Sequence, residues 1–170
     1  MKNIFLTAFA LIGTLASAQV AIGKDSVSSN AVSLEFGAGN KGMVLPYVTN
    51  TAAVTGAVNG TIVYDTSDHR VKVKYASGWK DLSLDATGAA DTTIQNSKTD
   101  DPAARVSITT GTPTTVPGIL VLEDDNKAMI LPKVDSPHLN IQNPAPGMMV
   151  YDTVKKQLAV YNGTVWSFWK

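Results

Sequence analysis

Cysteine is absent from this 170-residue chain. Disulfides, thiolate metal sites and catalytic thiols are therefore excluded, and so is a lipid anchor, which needs a cysteine at the cleavage site. Histidine is nearly absent: His69 and His138 are the only two, and neither stands at metal-ligand spacing from another ligand of its kind. Charge is scarce and balanced. The 14 basic and 14 acidic residues make up 16% of the chain, against about 25% in ordinary globular proteins. No block of like charge occurs, so the chain lacks the basic face that neutralises phosphates in a nucleic-acid complex. Nucleophile elbows, phosphate-cradling glycine loops and zinc motifs are missing as well. With no acid–base or nucleophile–base pair to name, neither an enzyme nor a cofactor is expected.

What is present begins with an export signal. One positive charge in Met1–Asn3, an apolar run over Ile4–Leu15 and the small-x-small pattern Ala16–Ala18 predict a signal peptide over residues 1–18, cleaved before Gln19. The run falls short of the roughly 20 apolar residues of a membrane span, so no membrane span is expected after cleavage. Export without disulfides fits a bacterial periplasm, outer surface or extracellular medium.

The remaining chain states one pattern twice. Val20 and Ile22 match Val106 and Ile108 at an offset of 86 residues, and Asn40–Pro46 matches Asn126–Pro132 at the same offset. After one inserted residue, Gly60, Val63, Tyr64, Asp65, Thr66, Val73 and Trp79 match Gly147, Val150, Tyr151, Asp152, Thr153, Val160 and Trp166 at an offset of 87. Matches in this order mark an internal repeat. The expected fold is all-β: a first small β-module over residues 19–83, a polar linker over 84–104 and a second β-module over 105–170. No long amphipathic helix is visible. Val32, Leu34 and Phe36 alternate as one face of a strand, and Pro46 places its strand at an edge or a bulge, because proline cannot donate a ladder hydrogen bond.

Gly147–Thr153 and Gln157–Tyr161 predict a β-hairpin turning over Val154–Lys156, and Gly60–Thr66 with Val71–Tyr75 predicts its twin. Cross-strand aromatic and β-branched pairs stabilise such hairpins by roughly 0.2–1 kcal/mol each. Asp65 and Asp152 are expected to open the turns by accepting backbone N–H bonds two residues on. Asn162 and Gly163 supply positive φ angles for a tight turn, and Trp79 and Trp166 fold back as lids over the apolar faces. His69, whose equivalent is Lys156, reads as a solvated turn residue. Glu123–Asn126 offers oxygen ligands for Ca²⁺ but lacks a dedicated spacing, and its counterpart Gly37–Asn40 has no carboxylates; an acidic turn is favoured.

These residues carry a resemblance. Lys41–Pro46, Lys127–Pro132, Gly60–Thr66 and Val160–Trp166 resemble the "Lys-Gly-Leu-Leu-Leu-Pro", "Gly-Thr-Ile-Val-Tyr-Asp-Thr" and "Val-Tyr-Asn-Gly-Thr-x-Trp" segments of secreted repeat proteins from Bacteroidetes, notably flavobacteria. They are also similar to segments of phage tail-fibre proteins. The resemblance implies an exported, β-rich, surface-associated and non-enzymatic protein. It further implies O-glycosylation sites at Ser26, Thr92 and Thr153, each following an aspartate.

A module of this size buries little apolar surface alone and exposes strand edges. Completion by its sibling, by homo-oligomerisation (a trimer is one form) or by other cell-surface proteins is expected. Two function classes follow: a structural or adhesive fibre component, and a glycan-binding module in which Tyr64, Trp79, Tyr151 and Trp166 contact sugars.

Overall fold

The computed structural model describes residues 18–99, 101 and 103–170. All of the expected signal peptide except Ala18 lies outside these residues. The first half contains β1 (Val20–Ile22), β2 (Val32–Phe36), β3 (Met43–Val44), β4 (Tyr47–Val48), β5 (Ile62–Asp65), β6 (Arg70–Tyr75) and β7 (Gly78–Asp81). The second contains β8 (Val106–Ile108), β9 (Leu120–Leu122), β10 (Ala128–Ile130), β11 (Lys133–Val134), β12 (Met148–Asp152), β13 (Gln157–Tyr161) and β14 (Trp166–Trp169). Among the described residues, helix is confined to single turns at Thr93–Asn96 and Pro137–Asn140, with a 3₁₀ turn at Thr51–Ala53. The fold is all-β, as the alternating sequence implies.

Each expected hairpin forms and then gains a third strand. β5 pairs with β6 and β12 with β13, both antiparallel, with Asp65 opposite Arg70 and Asp152 opposite Gln157. The four-residue connections close through the aspartates. Asp65 accepts from the Ser67 N–H at 2.9 Å, and Asp152 from the Val154 N–H at 2.9 Å. Both turns end on a left-handed residue, His69 at φ 60° and Lys156 at φ 53°. Trp79 and Trp166 are not lids. They stand in the ladders of β7 and β14, opposite Lys74 and Tyr161. The turns before them are tight enough to carry the chain straight back into register.

β1 and β2 run parallel, with Val20 opposite Leu34 and Ile22 opposite Phe36; β8 and β9 repeat this with Val106 opposite Leu120 and Ile108 opposite Leu122. β10 adds to the other edge of β2, so β2 is a central strand. Ser33 and Glu35, which alternate with Val32, Leu34 and Phe36, are buried as well, at 0% and 4% exposure. Glu35 is accommodated by the Lys24 ammonium at 2.6 Å and the Ser28 N–H at 2.6 Å.

Pro46 marks a switch between sheets. Before it, β3 pairs antiparallel with β12 of the other copy, Met43 opposite Met149 and Val44 opposite Met148. After it, β4 pairs parallel with β5 of its own copy, Tyr47 opposite Tyr64. A residue without an N–H is tolerated at that crossing. The main core follows from this exchange: Leu45, Tyr64, Val71, Val73 and Leu82 from the first copy pack with Met149 and Val160 from the second. The opposite face of β12 and β13 packs Met148, Val150 and Ala159 against Val134 and Ile141. Burial of each such side chain contributes roughly 1.5–3 kcal/mol; the main core needs both copies, whereas the second cluster lies wholly within the second copy.

Candidate assembly interface

The seam between the copies is built around one glycine and one asparagine. Gly147 opens β12 at φ +72°, a conformation that favours glycine. A Cβ there would lie 3.0 Å from the Tyr64 Cβ and 3.4 Å from the Tyr47 Cε1. The close approach lets the Leu45 N–H reach the Gly147 carbonyl at 3.1 Å and the Tyr47 hydroxyl reach the Pro146 carbonyl at 2.8 Å. The Tyr47 and Tyr64 rings tilt against one another with centroids 5.4 Å apart.

Asn162 is fully buried and not left-handed. Its side-chain oxygen accepts the N–H groups of Thr164 at 2.9 Å and Val165 at 2.7 Å, which shapes the turn into β14. Its amide donates to the carbonyl and carboxylate of Asp85, at 2.8 and 2.9 Å. The segment after Asp85 is held closely: a Cβ on Gly88 would fall 1.8 Å from the Asn162 carbonyl oxygen. The positive φ expected of Asn162 belongs to Gly163 alone, at 108°. Trp169 completes the seam by donating its indole N–H to the Leu82 carbonyl.

The four aromatics named as contacts have different placements. Tyr64 has no exposed surface; its hydroxyl donates to the Asn162 carbonyl at 2.7 Å, and burial, with smaller contributions from Tyr47 and Asp68, pushes its phenol up to about 12. Trp79, Tyr151 and Trp166 are half-buried, and Trp166 packs on Tyr161 at 5.2 Å between centroids. Ser26 is exposed, and Thr92 and Thr153 are half-buried. The Thr153 hydroxyl donates to Asp135.

The acidic turn at Glu123–Asn126 is occupied by the protein's own donors. Asp124 accepts the Thr110 N–H at 2.8 Å, and the Lys127 ammonium stands 3.1 Å from its other oxygen. The Thr110 contacts, backbone first, and then Lys127 hold the carboxyl down at about 2. Glu123 accepts the Thr114 N–H at 2.8 Å. A lysine thus fills the place of a cation.

Sequence reasoning missed Asn162, Glu35 and Gly147 as organising residues. Gly147 was visible as a repeated glycine, but its contact with the two tyrosines comes from the distant first copy. The arrangement offers strand edges and a tightly packed seam, which suit assembly. No curated protein and no solved structure matches the chain. Residues 107–169, spanning the second copy, match the family described as the phage tail like trimerisation region.

Proposed function

We propose that this chain is a non-enzymatic structural protein, an exported β-scaffold that assembles as a homo-oligomer, three copies together, in a fibre or surface matrix. The match of residues 107–169 to a trimerisation region carries this reading. The exchange of β3 into the second copy's sheet supports it, because the chain already builds its core by lending strands between repeats. The phage-tail likeness supports a fibre-like role, and the sequence pattern of residues 1–18 supports export to the periplasm, the outer surface or the medium. Light scattering of the purified chain after size exclusion tests the assembly: three chain masses are expected, and a stable single-chain mass would sink the reading. Cell fractionation tests the location, and the intact mass of the native protein tests glycosylation at Ser26, Thr92 and Thr153.

Partial exposure of Trp79, Tyr151 and Trp166 favours one second reading, a glycan contact at the hairpin surfaces. A glycan array with Trp79→Ala and Trp166→Ala controls separates the two: binding lost while the fold persists would favour the lectin role.

A further inference from the structure

Around their hairpins the two copies are equivalent bond by bond. The Tyr64 N–H meets Pro46 O and the Tyr151 N–H meets Pro132 O, each at 2.9 Å. Gly60 N–H bonds Lys74 O as Gly147 N–H bonds Tyr161 O, and Thr61 N–H bonds Val58 O as Met148 N–H bonds Ala145 O. One strand breaks the equivalence. β3 lies on Met148–Met149 of the other copy, but its counterpart β10 lies on β2 instead. Among the described residues no strand pairs with Thr61 and Ile62 on the side where β4 meets Tyr64 and Asp65. A second vacancy mirrors the first. β8 and β9 reproduce the register of β1 and β2 without the third strand that β10 gives β2, and Ile119 and Leu120 are exposed by 64% and 43% where their counterparts Ser33 and Leu34 are buried.

The lending strands have spare edges of the right kind. Ala128 directs its N–H to Ala31 O at 2.9 Å, so strand alternation sends the main-chain groups of Met129 and Leu131 to the opposite, open edge of β10. These are the counterparts of Met43 and Leu45, the residues by which β3 bonds β12. By the same rule β3 keeps the groups of Gly42 and Val44 at its open edge, the counterparts of those that β10 offers to β2. Side-chain volumes also match. A Cβ on Gly42 would lie 2.4 Å from the Met148 Cγ; at the vacant site the equivalent pair is Ala128 and Thr61, a larger residue on one strand and a smaller one on the other.

We propose that a second copy of this chain fills both edges. β10 of one protomer adds antiparallel to Thr61–Ile62 of the next, with Met129 opposite Ile62 and Ile130 opposite Thr61. β3 adds parallel to β9, with Met43 opposite Leu120 and Val44 opposite Val121. The occupant follows from continuity with the registers already made inside the chain. Each protomer lends on one side and accepts on the other, so the contact is head-to-tail, the kind that closes into rings. Unpaired edges that would otherwise template aggregation are covered. This inference rests on the homo-oligomer reading and gives it a register.

The absence of cysteine makes the test clean. Chains carrying Thr61→Cys and chains carrying Ile130→Cys are co-expressed with different tags, oxidised and run on a non-reducing denaturing gel beside light scattering of the native sample. A two-chain band containing one of each tag is expected, absent when Ile130→Cys is replaced by Asn126→Cys. An oligomer without that band, or one that cross-links Thr61→Cys to Val44→Cys instead, overturns this register and leaves the oligomer standing. A single-chain mass overturns both. The pair Val44→Cys and Val121→Cys reads the β3–β9 register independently, should the first variants fail to fold; its band is expected, and its absence from a folded oligomer overturns the proposal.

Discussion

The phenol of Tyr64 donates a 2.7 Å hydrogen bond to the main-chain carbonyl of Asn162, 98 residues further along the chain. Both residues are completely buried, so the bond joins the hairpin of one repeat to the turn of the other in a place water cannot substitute. It accounts for a tyrosine at the centre of the first β5–β6 face, where packing alone would accept phenylalanine.

Tyr64→Phe keeps the ring and removes the donor. A buried carbonyl left without its partner costs about 1–3 kcal/mol, so the unfolding free energy falls by that amount, seen as a lower urea midpoint with little change in slope. The wild-type chain also carries an alkaline signature. Its phenol is raised to about 12 by burial above all, so the stability it contributes is complete below pH 10 and is lost as pH rises towards 12. The Phe variant lacks that part of the alkaline decline.

Gly147→Ala strains a backbone at φ +72° and places a methyl 3.0 Å from the Tyr64 Cβ. A left-handed alanine costs about 1–2 kcal/mol before the contact is counted, and the seam cannot retreat because Leu45 is bonded to Gly147. The melting temperature should fall by more than for Gly111→Ala. Gly111 is not left-handed, and the nearest atom to its Cβ position is the Thr109 Oγ1 at 3.8 Å.

Glu35 sets an acid limit. The hydrogen bond from Lys24, then that from the Ser28 backbone, hold its carboxyl at about 2 against an ordinary 4.5. A depressed carboxylate contributes stability that is present above pH 4.5 and is lost as pH falls towards 2. Denaturant midpoints measured across that window should fall less steeply for Glu35→Gln than for the wild-type chain. Equal slopes would show that the pair contributes nothing.

Lys156 holds φ 53° at the end of its turn, where glycine is at ease. Lys156→Gly should stabilise the chain by up to about 1 kcal/mol, and His69→Gly, at the equivalent turn position, should behave alike. A loss of stability in both would mean that these side chains do more than close a turn.

Local order was legible in the residues; the exchange between copies was not. Alternation at Ile62–Asp65 and Met148–Asp152 and the aspartates that open each turn identify the hairpins, because the interactions that make a hairpin lie within a few residues of one another. The third strands at Trp79 and Trp166 escaped, since a short strand with one aromatic at its start looks like a closing cap. The parallel pairs β1–β2 and β8–β9 leave no turn signal. Glu35 reads as solvent-facing, and the Lys24 ammonium and Ser28 N–H that hold it lie in the polar turn before β2. Likewise β3 and β10 are nearly the same peptide, Gly42–Pro46 and Ala128–Pro132, yet they join different sheets; nothing within either segment distinguishes their partners. Among the candidate contact residues, Tyr64 and Tyr151 share the same local setting between a valine and an aspartate, yet only Tyr64 is fully buried, because its burial comes from the distant second copy.

The two repeats fold as one interlocked body through β3 and β12. Val44 and Met148 stand opposite one another there, so Val44→Cys with Met148→Cys in the same chain, oxidised in the folded state and unfolded without reductant, measures it directly. A disulfide within one chain is expected, seen as a more compact band of single-chain mass. A disulfide formed between chains, or none in a folded sample, would contradict it.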